Sequence, residues 1–181
     1  MKKTVRWIAQ AGAGLEHLVL WQEGAGLLAQ GVVAGERDAP AYGAAYTIGC
    51  DLAWRVTQLV VDVAGGGHLG LHADGEGRWR GHDGRPVDAL LGCIDIDLSA
   101  SCFTNTLPIR RLALAPGERR AIDVAYVQIP GLCLERTAQA YTRLGPNSYL
   151  FESIADGFQA VLEVDDEGLV VSYPGLFRRL G

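Results

Sequence analysis

The sequence predicts a mainly β protein: a many-stranded antiparallel sheet with a single short α-helix. Three observations carry this. Turn-forming clusters recur about every 8 to 15 residues, the spacing of an all-β domain. Glycine supplies 24 of the 181 residues, enough for many tight turns. The 3.6-residue periodicity of an amphipathic helix is weak everywhere except in one short stretch.

The elements follow in order. Segments 15–21 (LEHLVLW) and 27–35 (LLAQGVVAG) flank the turn QEGAG and read as a hairpin. Residues 44–63 read as two strands with a bend near Cys50 and Asp51. Residues 68–86 hold two turn signals, Asp74-Gly75 and Asp83-Gly84. Further strands are expected at 90–98, 121–129, 132–144, 148–154, 158–164 and 169–173, separated by the turns PGERR, IPG, LGPN, ADG and DDEG. The helix is expected over Thr104 to Leu112. Thr104 or Asn105 would cap it, Pro108 suits its first turn, and Leu107 and Leu112 would face the core. The final YPGLFRRL reads as a closing sheet edge or a dimer contact. No linker or internal repeat interrupts the pattern, so residues 1–181 are expected to form one domain.

Composition bounds the function. Hydrophobic residues make up 49% and charged residues 20%, a globular balance and not a disordered one. The net charge of −5 and the lack of any basic stripe argue against a nucleic-acid partner. Lys2 and Lys3 open the chain, but no apolar leader follows, because Arg6, Gln10 and Glu16 interrupt it. No run of about 20 apolar residues occurs, so no stable membrane insertion is expected. The expected setting is the cytoplasm, with Cys50, Cys93, Cys102 and Cys133 as reduced, mostly buried thiols.

The stretch GCIDIDLSASCFTNTLPIRRL, residues 92–112, carries the most chemistry. In a strand, Asp95 and Asp97 share one face, about 6.6 Å apart. At that distance two carboxylates repel by about 2.5 kcal/mol at an effective dielectric near 20. Arg110 and Arg111 are the evident partners, one guanidinium forking onto a carboxylate. Three readings stand open: an Asp–Arg network that braces the helix, acids lining a cavity and gripping sugar hydroxyls, and an acid–base pair for glycoside hydrolysis. Catalysis is the weakest, because acids on one strand do not flank a sugar bond from both sides.

Other candidates join this cluster. Gln139, Tyr141 and Arg143 share one strand face. Tyr141, Arg143 and Glu152 are expected to line a polar cavity, and Tyr126 is a further candidate. Arg55, beside Trp54, wants an acid among Asp51, Asp95, Asp97 and Glu152. Glu16 and His17 are open between a ligand contact and a surface role. His68, His72 and Asp74 alternate onto one face but lie too far apart for a metal site. No phosphate-cradling glycine loop precedes a long helix, so no cofactor is implied.

CDLAWRV, HADGEGRW, GCIDIDL, FTNTLPIRRL, AYV, YTRL, YLFES and GLVVSYPGLFRR follow in this order along the chain. Together they resemble the putative glycolipid-binding family, once catalogued as a bacterial domain of unknown function. The resemblance spans nearly the whole chain. It implies a sheet curled as a roll around a single helix, a homodimer, an acidic pocket and remote similarity to lipoprotein-carrier folds. Ser101-Cys102 stands where the family pattern has Thr-Pro, and Ala140 where it has Arg. The implied function is non-catalytic binding of a glycolipid or related sugar-bearing amphipathic ligand, with a role in glycolipid metabolism. Its rivals are an enzyme using Asp95 and Asp97, and a structural protein without a small ligand.

Overall fold

The computed structural model describes residues 2–36 and 40–181. Its strands are β1 (Lys2–Ala9), β2 (Gly14–Glu23), β3 (Gly26–Gly35), β4 (Tyr42–Asp51), β5 (Val56–Val63), β6 (His68–Ala73) and β7 (Trp79–Gly81) in the first half. The second half holds β8 (Asp95–Leu98), the helix α1 (Thr106–Leu112), β9 (Arg119–Gln128), β10 (Cys133–Gly145), β11 (Ser148–Ser153), β12 (Gln159–Val164), β13 (Val170–Tyr173) and β14 (Phe177–Leu180). All belong to one curled sheet, in the order β7-β6-β5-β4-β3-β2-β1-β14-β13-β12-β11-β10-β9-β8. Strands β1–β7 form one meander and β9–β14 another, and the two meet where β1 pairs with β14, Arg6 opposite Leu180. No helix among the described residues is long and apolar enough to cross a membrane.

The curl brings the sheet's two end strands toward each other, and residues 82–94 bridge them. The Val87 N–H donates to the Trp79 carbonyl at 2.9 Å, and the Gly92 N–H to the Gly77 carbonyl at 2.9 Å. The Trp79 indole N–H donates to the Cys93 carbonyl at 2.7 Å. Gly77 has a φ of +88°, and a Cβ there would lie 2.8 Å from the Gly92 backbone, so this contact requires glycine.

Strand alternation decides which side chains fill the interior. Val5 and Trp7, Leu18, Ala29 and Val33, Tyr46 and Ile48, and Leu59 and Val61 are buried on the inner face of the first half. Phe103, Leu107 and Ile109 of the helical segment complete this core. Burying such side chains is the main favourable term in folding.

The structure corrects five expectations. The sheet is not wholly antiparallel: β8 pairs parallel with β9, Asp95 opposite Val124. A parallel pair needs a crossover, and the helical segment is that crossover. The strand expected at 90–98 begins only at Asp95, because Asp88–Leu90 forms a 3-10 turn. The helix starts at Thr106 after a 3-10 turn at Phe103–Asn105, and no side chain caps it. The Thr104 hydroxyl is committed elsewhere. The N-terminal segment, weighed from sequence only as a leader, is β1; Thr4 and Arg6 alternating with Val5 and Trp7 were its signal. Finally, YPGLFRRL is not a closing edge, because β14 lies mid-sheet between β1 and β13.

Gly31 in β3 provides a test of this packing. The Tyr46 ring lies over it, and a Cβ at Gly31 would fall 2.2 Å from that ring. Gly31→Ala is expected to cost about 1–3 kcal/mol in urea unfolding by overpacking. A neutral effect would mean that Tyr46 does not lie there.

Candidate functional site

The two aspartates of β8 grip the helical segment at both ends. Asp95 is fully buried. Arg111, in the last turn of α1, forks onto it: Nε lies 3.1 Å from each carboxylate oxygen and Nη2 lies 2.5 Å from Oδ2. Burial lifts the Asp95 carboxyl above its ordinary value, with the Arg111 hydrogen bonds and charge pulling against it. Asp97 takes neutral donors. The Thr104 hydroxyl donates to Oδ1 at 3.0 Å and the Gln139 amide to Oδ2 at 2.6 Å. Among the contacts described, Asp95 is neutralised by a cation and Asp97 accepts from two fixed dipoles.

Asp97 also borders a cavity of about 460 Å³. Its polar side includes Ser101, Asn105 and Gln139, and Glu135 and Asp156 add two more acids. Phe151, Phe158, Tyr173 and Phe177 supply aromatic surface to the same space. The Tyr141 hydroxyl donates to Asn105 Oδ1 at 2.9 Å, holding that amide in place from behind. The β10 alternation that aims Gln139 inward also aims Thr137 and Glu135 at the cavity.

Of the nine residues singled out from sequence, Asp97 and Tyr126 line this cavity. Tyr141 is fully buried beside it, not on a solvated face. Asp95 and Arg111 form the brace. Arg110 parts from its neighbour: its guanidinium stacks over Trp54 at 5.3 Å. With Arg143 it borders a second hollow of about 440 Å³. Arg143 donates to the Leu114 and Gly145 carbonyls at 2.9 and 3.1 Å. Glu152 does not join Tyr141 and Arg143. Tyr149 and Phe151 of β11 are the buried ones, so alternation turns Glu152 to the other face, where it pairs with Arg119 at 2.7 Å. Arg55 takes the nearest acid on offer, Asp51, at 2.7 Å. His68 meets Asp62 at 2.7 Å.

Glu16 is the residue that sequence reasoning left undecided. Its side chain is buried, and its Oε1 accepts from the Ser101 hydroxyl at 2.6 Å and from the Tyr46 hydroxyl. Its Oε2 has no hydrogen-bond partner among the described residues. Burial pushes its carboxyl up to about 7, against the lowering pull of the two hydroxyls. The signal was local: Glu16 shares its strand parity with Leu18 and Leu20, the inward set of β2.

Comparison with known proteins bears on this architecture. The family model described as "Putative glycolipid-binding" matches residues 4–179. The chain is also similar to a crystal structure of a DUF1089 family protein from Pseudomonas aeruginosa, at 41% identity over 91% of this chain and 92% of that one, with a TM-score of 0.80. No curated protein matches.

Two measurements test the site's electrostatics. Arg111→Met strands a buried carboxylate and is expected to cost about 3–5 kcal/mol in urea unfolding. Adding Asp95→Leu should recover most of that loss, and no recovery would sink the assignment of the brace. For Glu16, the folded chain holds a proton that the unfolded chain has released between pH 4.5 and about 7. The stability tied to that proton is full below pH 4.5 and is lost as the pH rises through about 7, about 3 kcal/mol in all. Glu16→Gln should flatten the dependence of stability on pH across this window. An unchanged slope would mean that Glu16 is ionised throughout.

Proposed function

We propose, from the premise that the chain belongs to the putative glycolipid-binding family, that it binds a glycolipid or related sugar-bearing amphipathic ligand without transforming it, in a role within glycolipid metabolism. The observation that carries this is the composition of the 460 Å³ cavity. Its volume falls in the roughly 300–1,000 Å³ range of small-molecule sites. Sugar hydroxyls both donate and accept hydrogen bonds, and Asp97, Gln139, Asn105 and Ser101 offer both functions on one side. The rings of Phe151, Phe158, Tyr173 and Phe177 offer apolar cover to a sugar face or to the first carbons of an alkyl chain.

The glycosidase alternative draws less support. It requires two carboxyls facing one bond from opposite sides. Asp95 lies in its ion pair with Arg111 and does not line the cavity, so the Asp95–Asp97 pair that this alternative needs is not assembled there. The homodimer implied by the family resemblance belongs to this reading. Leu144 of β10, Val161 of β12 and Val171 of β13, exposed at 52%, 42% and 36%, support it as apolar surface for a second copy. The free thiols at Cys50, Cys93, Cys102 and Cys133 agree with the cytoplasmic setting.

Native mass spectrometry of gently purified protein, repeated after organic extraction, is the direct test. A retained lipid bearing a sugar is the expected result. Phe158→Ala, at a ring already 40% exposed, should weaken binding of that ligand about ten-fold, the equivalent of 1.4 kcal/mol, while the protein stays folded with a modest loss of thermal stability. Protein that carries no ligand and ignores a panel of glycolipids would reduce Asp97 to a brace for Thr104.

A further inference from the structure

Arg110 is positioned by its neighbours, yet among the described residues none of them accepts a hydrogen bond from its guanidinium. Its stem lies against Gly168, which has a φ of +79°; a Cβ there would fall 3.0 Å from Arg110 Cδ. The turn thus presents bare backbone to the stem. The guanidinium lies over the Trp54 ring at 5.3 Å. Trp54 itself has a φ of +64°, an outlier for so bulky a residue. Such a conformation persists only where the surroundings fix it, and it gathers at functional sites. A cation over a ring is held by the ring's quadrupole, so that contact requires none of the five N–H donors of Arg110.

Arg110 stands between two hollows. One is the hollow of about 440 Å³ that it shares with Arg143. The other, of about 180 Å³, is bordered by Leu20, Trp21, Leu27 and Trp54 as well as Lys3 and Glu167. Arg143 also lacks a carboxylate among the described residues, since its closest acceptors are the Leu114 and Gly145 carbonyls. The acids nearby have donors of their own. Asp165 accepts from Lys3 and Arg179, each at 2.9 Å. Glu167 pairs with Lys3. Asp166 takes the Asn147 amide at 3.1 Å. Two guanidiniums without an acid therefore border these hollows, against one carboxylate, Asp166, that has no cation among the described residues.

We propose that Arg110 anchors a second ligand site, which takes a phosphate group. It shares no lining residue with the cavity beside Asp97 and does not depend on what that cavity binds. A guanidinium fork matches two phosphate oxygens. A phosphate monoester carries close to two negative charges at neutral pH, which suits two arginines that lack an acid. Leu20, Leu27 and Trp21 give apolar cover to an organic group carried by the phosphate.

Calorimetric titration of the intact chain with inorganic phosphate, octyl phosphate and octyl glucoside, the last two below their micelle concentrations, tests the site. Phosphate should bind. Arg110→Met keeps a stem against Gly168 and removes the fork, so it should weaken phosphate binding about ten-fold and leave octyl glucoside unchanged. Arg110→Lys keeps the charge without the fork and should weaken phosphate as well. Thermal unfolding of both variants checks that they remain folded. Octyl phosphate binding more tightly than inorganic phosphate identifies a lipid headgroup as the source, and equal binding identifies the free ion; either supports the site. No binding of either phosphate overturns the proposal, as does phosphate binding that Arg110→Met leaves intact. Equal weakening of octyl glucoside by Arg110→Met overturns it too, because the residue would then serve the sugar.

Discussion

The ion pair between Asp95 and Arg111 is the constraint on which the interior depends. A helix of seven residues has no independent stability in water, so α1 exists because the surrounding structure holds it. Asp95 is fully buried, and Arg111 reaches it from the last helical turn. Such a pair adds little net stability over an apolar substitute, but breaking it strands a charge. Its effect is therefore on placement. With Thr104 held by Asp97 at the other end, the segment 104–111 has one position against β8. That position sets Ser101 and Asn105 beside the cavity and drives Leu107 into the core.

The sheet shows the same economy of placement. The two halves of the chain are joined mid-sheet by β1 and β14, so the weak edges are β7 and β8, three and four residues long. Short edges limit unwanted pairing, and residues 82–94 cover them through the Gly77–Gly92 and Trp79–Cys93 contacts. The two larger hollows differ in their charged lining. Acids and aromatic rings border the one beside Asp97, whereas Arg110 and Arg143 border the other together with Asp165 and Asp166. Arg110 and Arg111 are adjacent in sequence, yet helical geometry sends their side chains to different neighbours, Trp54 and Asp95.

Much of this is written in local patterns. The β2–β3 hairpin, the bend at Cys50 and the strands from β9 to β13 follow from alternation and turn residues, because strand parity and turn geometry are short-range properties. The same parity placed Asp95 with Asp97 and Gln139 with Tyr141 on shared faces. It also held, unread, the inward direction of Glu16 and the outward direction of Glu152. Recognition of the family rested on ordered motifs spread across the chain, and the match over residues 4–179 agrees.

The sequence by itself determined the β-rich class, most strand positions, the single short helix and the fact that two neighbouring acids need partners. It did so because periodicity and the cost of burying charge act within a few residues. Tertiary structure alone decided which partners they receive: Arg111 for Asp95, Thr104 and Gln139 for Asp97, Ser101 and Tyr46 for Glu16. It also decided that β8 runs parallel to β9, that β14 lies in mid-sheet, and that Phe151, Phe158, Tyr173 and Phe177 share one cavity with Glu135 and Asp156. Most of these relations join residues tens to more than a hundred positions apart, and even Thr104 meets Asp97 across a turn seven residues long. Their outcome depends on how the whole sheet curls, a property no local window contains.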